Sequence, residues 1–173
     1  MSAINSQTSN PLLSLLPRDF RSQLLAMAVM LGVVAGVIFI LIQPLFGMDT
    51  LTSRHAQSYQ ALGDWGQVTA IMMAWTAHLA VSVLYGLMCA VLVLSTSRLT
   101  MITLVTLLFS WITTIIAPPA NAMIVQLVSL QQLQLDKLPG FNLSLDVKFI
   151  LHLFFFAAIS AVLYGYSKRV QCT

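Results

Sequence analysis

His78, Ser82, Tyr85 and Cys89 recur at intervals of four, three and four residues. At about 100° per residue these positions share one narrow helical face. A second group, Thr100, Thr103, Thr106, Ser110, Thr113 and Thr114, falls on one side of the following apolar stretch. A third places His152 with Ser160 amid Phe149 and Phe156. The two imidazoles stand in strongly apolar surroundings, where an ionisable group is costly and therefore a candidate for function. Three chemistries are open to them. A neutral imidazole can simply hydrogen-bond a hydroxyl or carbonyl across helices. It can move protons or ions, because it titrates near neutrality. Or His78 and His152 can together ligate one haem b. Covalent haem has no C-x-x-C-H to hold it. The hydroxyls are expected first to bond their own backbone one turn back, the usual arrangement in membrane helices, with a polar pathway as the second reading. His55 stands near Arg54 and Asp49 in a polar stretch, and is expected to be solvated.

Catalytic signatures are missing from the 173 residues. There is no nucleophile elbow, phosphate loop, H-E-x-x-H or pair of carboxylates within an apolar run. Asp146 precedes His152 by six residues, which puts it too far round a helix to be an ideal partner. An enzyme is not expected, and neither a metal nor a cofactor is required, haem b remaining the one candidate.

The elements that must position these side chains follow from composition. The chain is 58% hydrophobic and 8% charged, with a mean hydropathy of +0.89. Soluble domains carry about 25% charged residues, so this sequence cannot cover a water-facing surface. A bilayer needs about 20 mainly apolar residues per helical crossing. Four segments qualify: 24–46, 68–94, 99–116 (stopped by Pro118 and Pro119) and 147–166. Helix is required of each, because an open strand cannot satisfy its backbone in lipid. The reading is an all-α integral membrane protein, a single domain built as a four-transmembrane-helix bundle. The first span is too long for a cleaved signal peptide, and no small-x-small site follows it.

Orientation follows the bias of Lys and Arg. Arg18, Arg21, Arg98, Lys168 and Arg169 fall on one side; Arg54, Lys137 and Lys148 fall on the other. Both termini are then cytoplasmic, and the loops 47–67 and 117–146 face outward. The net charge of +3 is scattered, with no basic stripe, so it reads as topology and no nucleic-acid partner is expected. Residues 1–22 form a cytoplasmic or interfacial segment, whose Leu12, Leu13, Leu15 and Leu16 suit a short interfacial helix. Residues 120–135, with Gln126, Gln131, Gln132 and Gln134 among apolar neighbours, read as an amphipathic helix on the outer interface. Tyr59, Trp65 and Trp75 are expected to anchor the outer end of the second span. Cys89 and Cys172 should lie apart, unbridged.

Association in lipid depends on close packing and buried polar contacts. Ala28, Gly32 and Gly36 are spaced by four in the first span, with Gln43 on the same face. This stripe serves either packing inside the monomer or a seam with a second copy. The inward-facing polar candidates are His78, Ser82, Tyr85, Thr106, Ser110, Thr113, Gln43 and His152. Three roles fit them. The first is an accessory or self-associating subunit whose partners are lipid and another membrane chain. The second is a small proton- or ion-linked transporter. The third is a haem b or quinone-associated redox subunit. A shift of 74 residues superposes Pro44 on Pro118, Gly66 on Gly140 and His78-Leu79 on His152-Leu153. A twofold repeat of helix hairpins would put the two histidines at similar depth.

Gly32-Val-Val-Ala-Gly36-Val, Thr76-Ala-His78 with Ser82 and Tyr85-Gly86, the prolines after the third span, and His152-Leu153 together resemble the YagU-like family of small four-span bacterial inner-membrane proteins. The resemblance covers most of residues 24–169. It implies an inner-membrane location and supplies no mechanism. The chain departs from that pattern late in the first span, where Gln43 stands in place of an expected charge.

Overall fold

A computed structural model describes residues 18–171, and within them five α-helices and no strand. The expected interfacial helix before residue 18 and Cys172 lie outside the described residues. Helix α1 (Arg18–Ile42) passes into a 3₁₀ turn (Gln43–Phe46), where Pro44 starts the tighter winding and Gly47 ends it at φ 68°. Then come α2 (Leu51–Gly63), α3 (Gln67–Ser95), α4 (Leu99–Leu130), a 3₁₀ turn (Leu135–Lys137) and α5 (Val147–Gln171). Four stretches are long and apolar enough to cross a membrane: Phe20–Phe46, Gln67–Ser95, Leu99–Leu130 and Val147–Val170. Their outward faces carry exposed Met30, Ile38, Leu41, Met72, Leu104 and Phe154. Apolar surface on that scale is a liability in water and a matched surface in lipid.

The third span corrects the expectation that Pro118 and Pro119 end it. Helix α4 runs through both prolines to Leu130, so residues 120–130 are its last third and not a separate interfacial helix. A proline inside a helix leaves the carbonyl four residues earlier without its donor. For Pro119 that carbonyl is Ile115, and the N–H of Asn142 donates to it at 3.1 Å. The connecting segment supplies the bond that the helix cannot. Gln126 then fixes the same segment, its Oε1 accepting from the Gln134 N–H at 2.8 Å.

Helix α2 lies where a loop was expected. Thr50 caps it, its hydroxyl accepting from the Ser53 N–H at 3.2 Å. Gln43 Oε1 takes a further first-turn donor, the Leu51 N–H, at 2.7 Å. The buried face of α2 is Thr52, His55, Ala56 and Tyr59. Asp64 closes the helix in the left-handed region at φ 51°, and Gly66 opens α3 two residues later. Tyr59 is not an interfacial anchor: it is fully buried, stacked on Trp65 at 5.5 Å, in a small core with Ala56, Ala70, Ala74 and Val125.

The bundle is organised round two contacts, α1 against α3 and α4 against α5, with α5 also packed on α1 and α3. Helices α3 and α4 touch little, and α2 packs on both. Tyr166 donates to Gln23 at 2.7 Å and Tyr164 to the Ser97 carbonyl at 3.4 Å. The start of α1, the α3–α4 turn and the end of α5 therefore share one end of the bundle. The halves related by a shift of 74 differ locally: after Pro44 the chain turns into α2, whereas at Pro118 the helix continues.

The small-residue stripe of α1 faces α3. A Cβ on Gly32 would lie 2.7 Å from the Ser82 carbonyl oxygen and 2.9 Å from Val83 Cα, and one on Gly86 would strike the Ala28 carbonyl. Gly32→Val should therefore lower stability by about 1–3 kcal/mol through overpacking, read as a drop in the unfolding midpoint in detergent. Gly165→Ala, where a Cβ meets nothing within 4 Å, should not lower the midpoint and, by stiffening the unfolded chain, should raise it slightly. Asn142→Pro deletes the donor to Ile115 and should cost about 1–3 kcal/mol. Adding Pro119→Ala restores an intrahelical donor, so the double variant should lose less than Asn142→Pro alone. Strict additivity of the two changes would refute the patching role of Asn142.

Candidate functional site

The polar residues read from the sequence are drawn together, and nearly all are paired. His78 is buried, and its Nε2 lies 3.0 Å from the Gly36 carbonyl oxygen, which can only accept. Nε2 therefore carries the proton and α3 donates to α1. Ser82 bonds the His78 carbonyl at 2.9 Å, Ser110 the Thr106 carbonyl at 2.8 Å and Thr114 the Ser110 carbonyl at 2.8 Å. These are the one-turn-back bonds usual for hydroxyls in apolar helices. Others cross between helices. Thr106 donates to Ser160 at 3.2 Å, and Tyr85 lies beside Thr113 and Cys89 beside Ser160. Thr100 and Thr103, expected on the same face, are exposed.

His152 sits at the end of this seam nearest α2. Its Nδ1 lies 3.1 Å from Thr114 Oγ1. The single Thr114 hydroxyl proton is directed to the Ser110 carbonyl, so His152 Nδ1–H donates and Nε2 remains the acceptor of the neutral ring. Phe39 packs against both imidazoles, 5.9 Å from His78 and 5.2 Å from His152 between ring centroids. One ring thus touches both histidines. Ligating a single haem through both would require Phe39 to move and the bonds to Gly36 and Thr114 to break. Among the described residues no three of His, Cys, Asp and Glu are grouped to hold a metal ion. Beyond Phe39 the interior is filled by Tyr85, Phe109, Phe155 and Phe156, in ring contact at 5.2–6.2 Å.

Outward of Phe39 the bundle opens. A cavity of about 480 Å³ lies between the end of α1, α2, the outer half of α4 and the start of α5. Its floor is Phe39, Leu151 and Pro118; Gln43, Thr114 and His152 bring the seam to its wall. The volume suits a small ligand. Helix α2, packed on both α3 and α4, walls it on one side. Sequence reasoning found Gln43, Thr114 and His152. It missed Ser58, Asn121 and His55, which also line the cavity. The signal for His55 was the face of α2 formed by Thr52, His55, Ala56 and Tyr59, hidden in a stretch too polar to read as an apolar period.

His55 corrects an expectation most sharply. It is 7% exposed, set edge-on to Tyr59 at 6.4 Å, and neither ring nitrogen has a hydrogen-bond partner. Burial, reinforced by the positive charge of Arg54, lowers its pKa to about 4. Buried polar groups are nearly always satisfied, so two orphan nitrogens on one ring call for an explanation.

Four membrane-length helices and one cavity at the loop end define the chain as a multi-pass helical bundle. Set against family models, curated proteins and solved structures, it matches none.

The His55 environment has a signed consequence. In the unfolded chain an imidazole binds its proton near pH 6.5; in the fold it does so near 4. Unfolding therefore takes up a proton between these values. The stability His55 permits is intact above pH 6.5 and falls as pH drops towards 4, by up to roughly 3 kcal/mol. His55→Phe should flatten this dependence, seen by comparing unfolding midpoints at pH 7.5 and pH 5 for both proteins. Equal pH sensitivity of the two would show that His55 is not held neutral.

Proposed function

We propose that the chain is a non-enzymatic bundle of a bacterial inner membrane, with both tails in the cytoplasm, that takes a small solute into its outer cavity as the binding site of a small permease. The observation that carries this reading is the meeting of the polar seam and the cavity. Gln43, Thr114 and His152 arrive from three helices at one space of about 480 Å³. The bias of five basic residues over three supports the orientation, as does the grouping of Arg21, Arg98 and Lys168 at the end opposite the cavity. The resemblance to YagU-like proteins supports the choice of membrane. Absence of catalytic motifs from the sequence supports a binding role over an enzymatic one. Self-association through Ala28, Gly32 and Gly36 has less in its favour, because α3 already covers that stripe. The aromatic cluster beneath Phe39 is the closed inner end of such a pathway.

The test uses single cysteines in a Cys89→Ala, Cys172→Ala background. Asn121→Cys, on the cavity wall, should react with a membrane-impermeant maleimide applied to intact cells from outside. Ser110→Cys, buried in the seam, should react only after denaturation. Equal labelling of the two sites, or labelling of Asn121→Cys only in inverted vesicles, overturns the reading.

A further inference from the structure

Every basic residue at the cavity end lines the cavity. Arg54 comes from α2, Lys137 from the 3₁₀ turn and Lys148 from the first turn of α5. None of the four acids at that end, Asp49, Asp64, Asp136 and Asp146, lines it. Two are committed to backbone geometry: Asp64 closes α2, and Asp146 accepts from the Lys148 N–H at 2.9 Å. In the sequence these three cations counted only against the positive-inside bias. In the fold they converge on one space from three separate segments.

Their placement is electrostatically unfavourable by itself. Arg54 and Lys148 each lie near the N-terminus of a helix, where the backbone dipole already presents positive charge. Helix α2 has no acidic residue in its first turn, whereas α5 is capped by Asp146, which accepts from the Lys148 and Phe149 N–H groups. Lys148 is half-buried, so water screens it less than a surface lysine. His55, more than nine-tenths buried in the same wall, has both ring nitrogens unpartnered. Against this charge stand apolar lining residues, Phe39, Leu62, Pro118, Val125, Leu130 and Leu151, with the neutral polar side chains of Gln43, Ser58, Thr114 and Asn121 between them.

We propose that the cavity binds an amphipathic anion, its carboxylate or phosphate head held by Arg54, Lys137 and Lys148 and its hydrocarbon tail laid against Phe39, Pro118 and Leu151. This names the ligand class of the proposed permease site and rests on that reading. A bound head would neutralise the three cations and offer an acceptor beside His55. The apolar floor excludes a fully hydrated ion as the best-fitting ligand, since binding one would bury polar surface against hydrocarbon. The head can belong to an acid arriving from the aqueous side or to an anionic lipid of the outer leaflet.

The full chain in nanodiscs of phosphatidylcholine tests this with octanoate, octanol and acetate. Octanoate should bind saturably and raise the unfolding midpoint. Octanol, with the tail alone, and acetate, with the head alone, should each bind at least about tenfold more weakly. Lys148→Gln and Arg54→Gln should each weaken octanoate by about tenfold and leave octanol unchanged. Adding phosphatidylglycerol to the discs assigns the source: competition with octanoate marks a lipid head, and its absence marks an aqueous acid. Equal binding of octanol and octanoate overturns the proposal, as does octanoate affinity indifferent to both substitutions. Asn121→Cys labelling separates the two levels. If Asn121→Cys is labelled from outside and octanoate does not bind, the ligand class fails and the outer cavity stands. If it is not labelled, the permease reading itself fails.

Discussion

The backbones of α1 and α3 approach more closely than side chains would allow, and the rest of the bundle is arranged around that contact. Gly32, Gly36 and Gly86 leave no room for a Cβ against the facing helix. In lipid, apolar surface gains little by leaving its solvent, so association must come from dense packing and from polar groups that find partners. Both occur at this contact. His78 reaches across to the Gly36 carbonyl at the place where the absent side chain lets it approach. Helix α5 then packs on both α1 and α3, with Phe155, Phe156 and Leu163 in the common core. Helix α4 is held chiefly by α5, through Thr106 on Ser160 and His152 on Thr114.

From that order of packing the cavity follows. Helix α4 leans on α5 and touches α3 little, and the cavity lies at the α2 end of the bundle. Helix α2 crosses it, packed on α3 through Tyr59, Ala70 and Ala74 and on α4 through Val125. Pro118 and Pro119 stand in α4 beside this space, and the Asn142 N–H repairs the break they cause. Two glutamines close the perimeter by accepting backbone donors of the connecting segments, Gln43 from Leu51 and Gln126 from Gln134. The cavity is thus framed by satisfied polar groups. Its one orphaned ring, His55, faces the same space as three unneutralised cations.

The inner seam behaves differently. Its hydroxyls and imidazoles are consumed by one another and by carbonyls, and its remaining volume is aromatic. What looks in sequence like a line of reactive groups is mostly the hydrogen bonding that lets polar side chains exist between apolar helices. Only its outer members, Gln43, Thr114 and His152, come into contact with open space.

The four long helices were legible from the residues, because hydropathy and length are local properties and lipid forces helix on any crossing segment. The inward faces were legible for the same reason: His78, Ser82, Thr106, Ser110 and Gly32 follow the helical period and are buried. Three matters could be decided only by tertiary structure. Whether the α1 stripe served this chain or another depended on which backbone lay opposite. Whether Pro119 stopped its helix depended on a donor 27 residues away from the Ile115 carbonyl, at Asn142. Arg54, Lys137 and Lys148, far apart in sequence and read there as minority charges, became one site because three connecting segments fold over a single gap. Periodicity fixes which way a residue faces on its own helix; which residue it meets is set by long-range packing, and no local pattern encodes that.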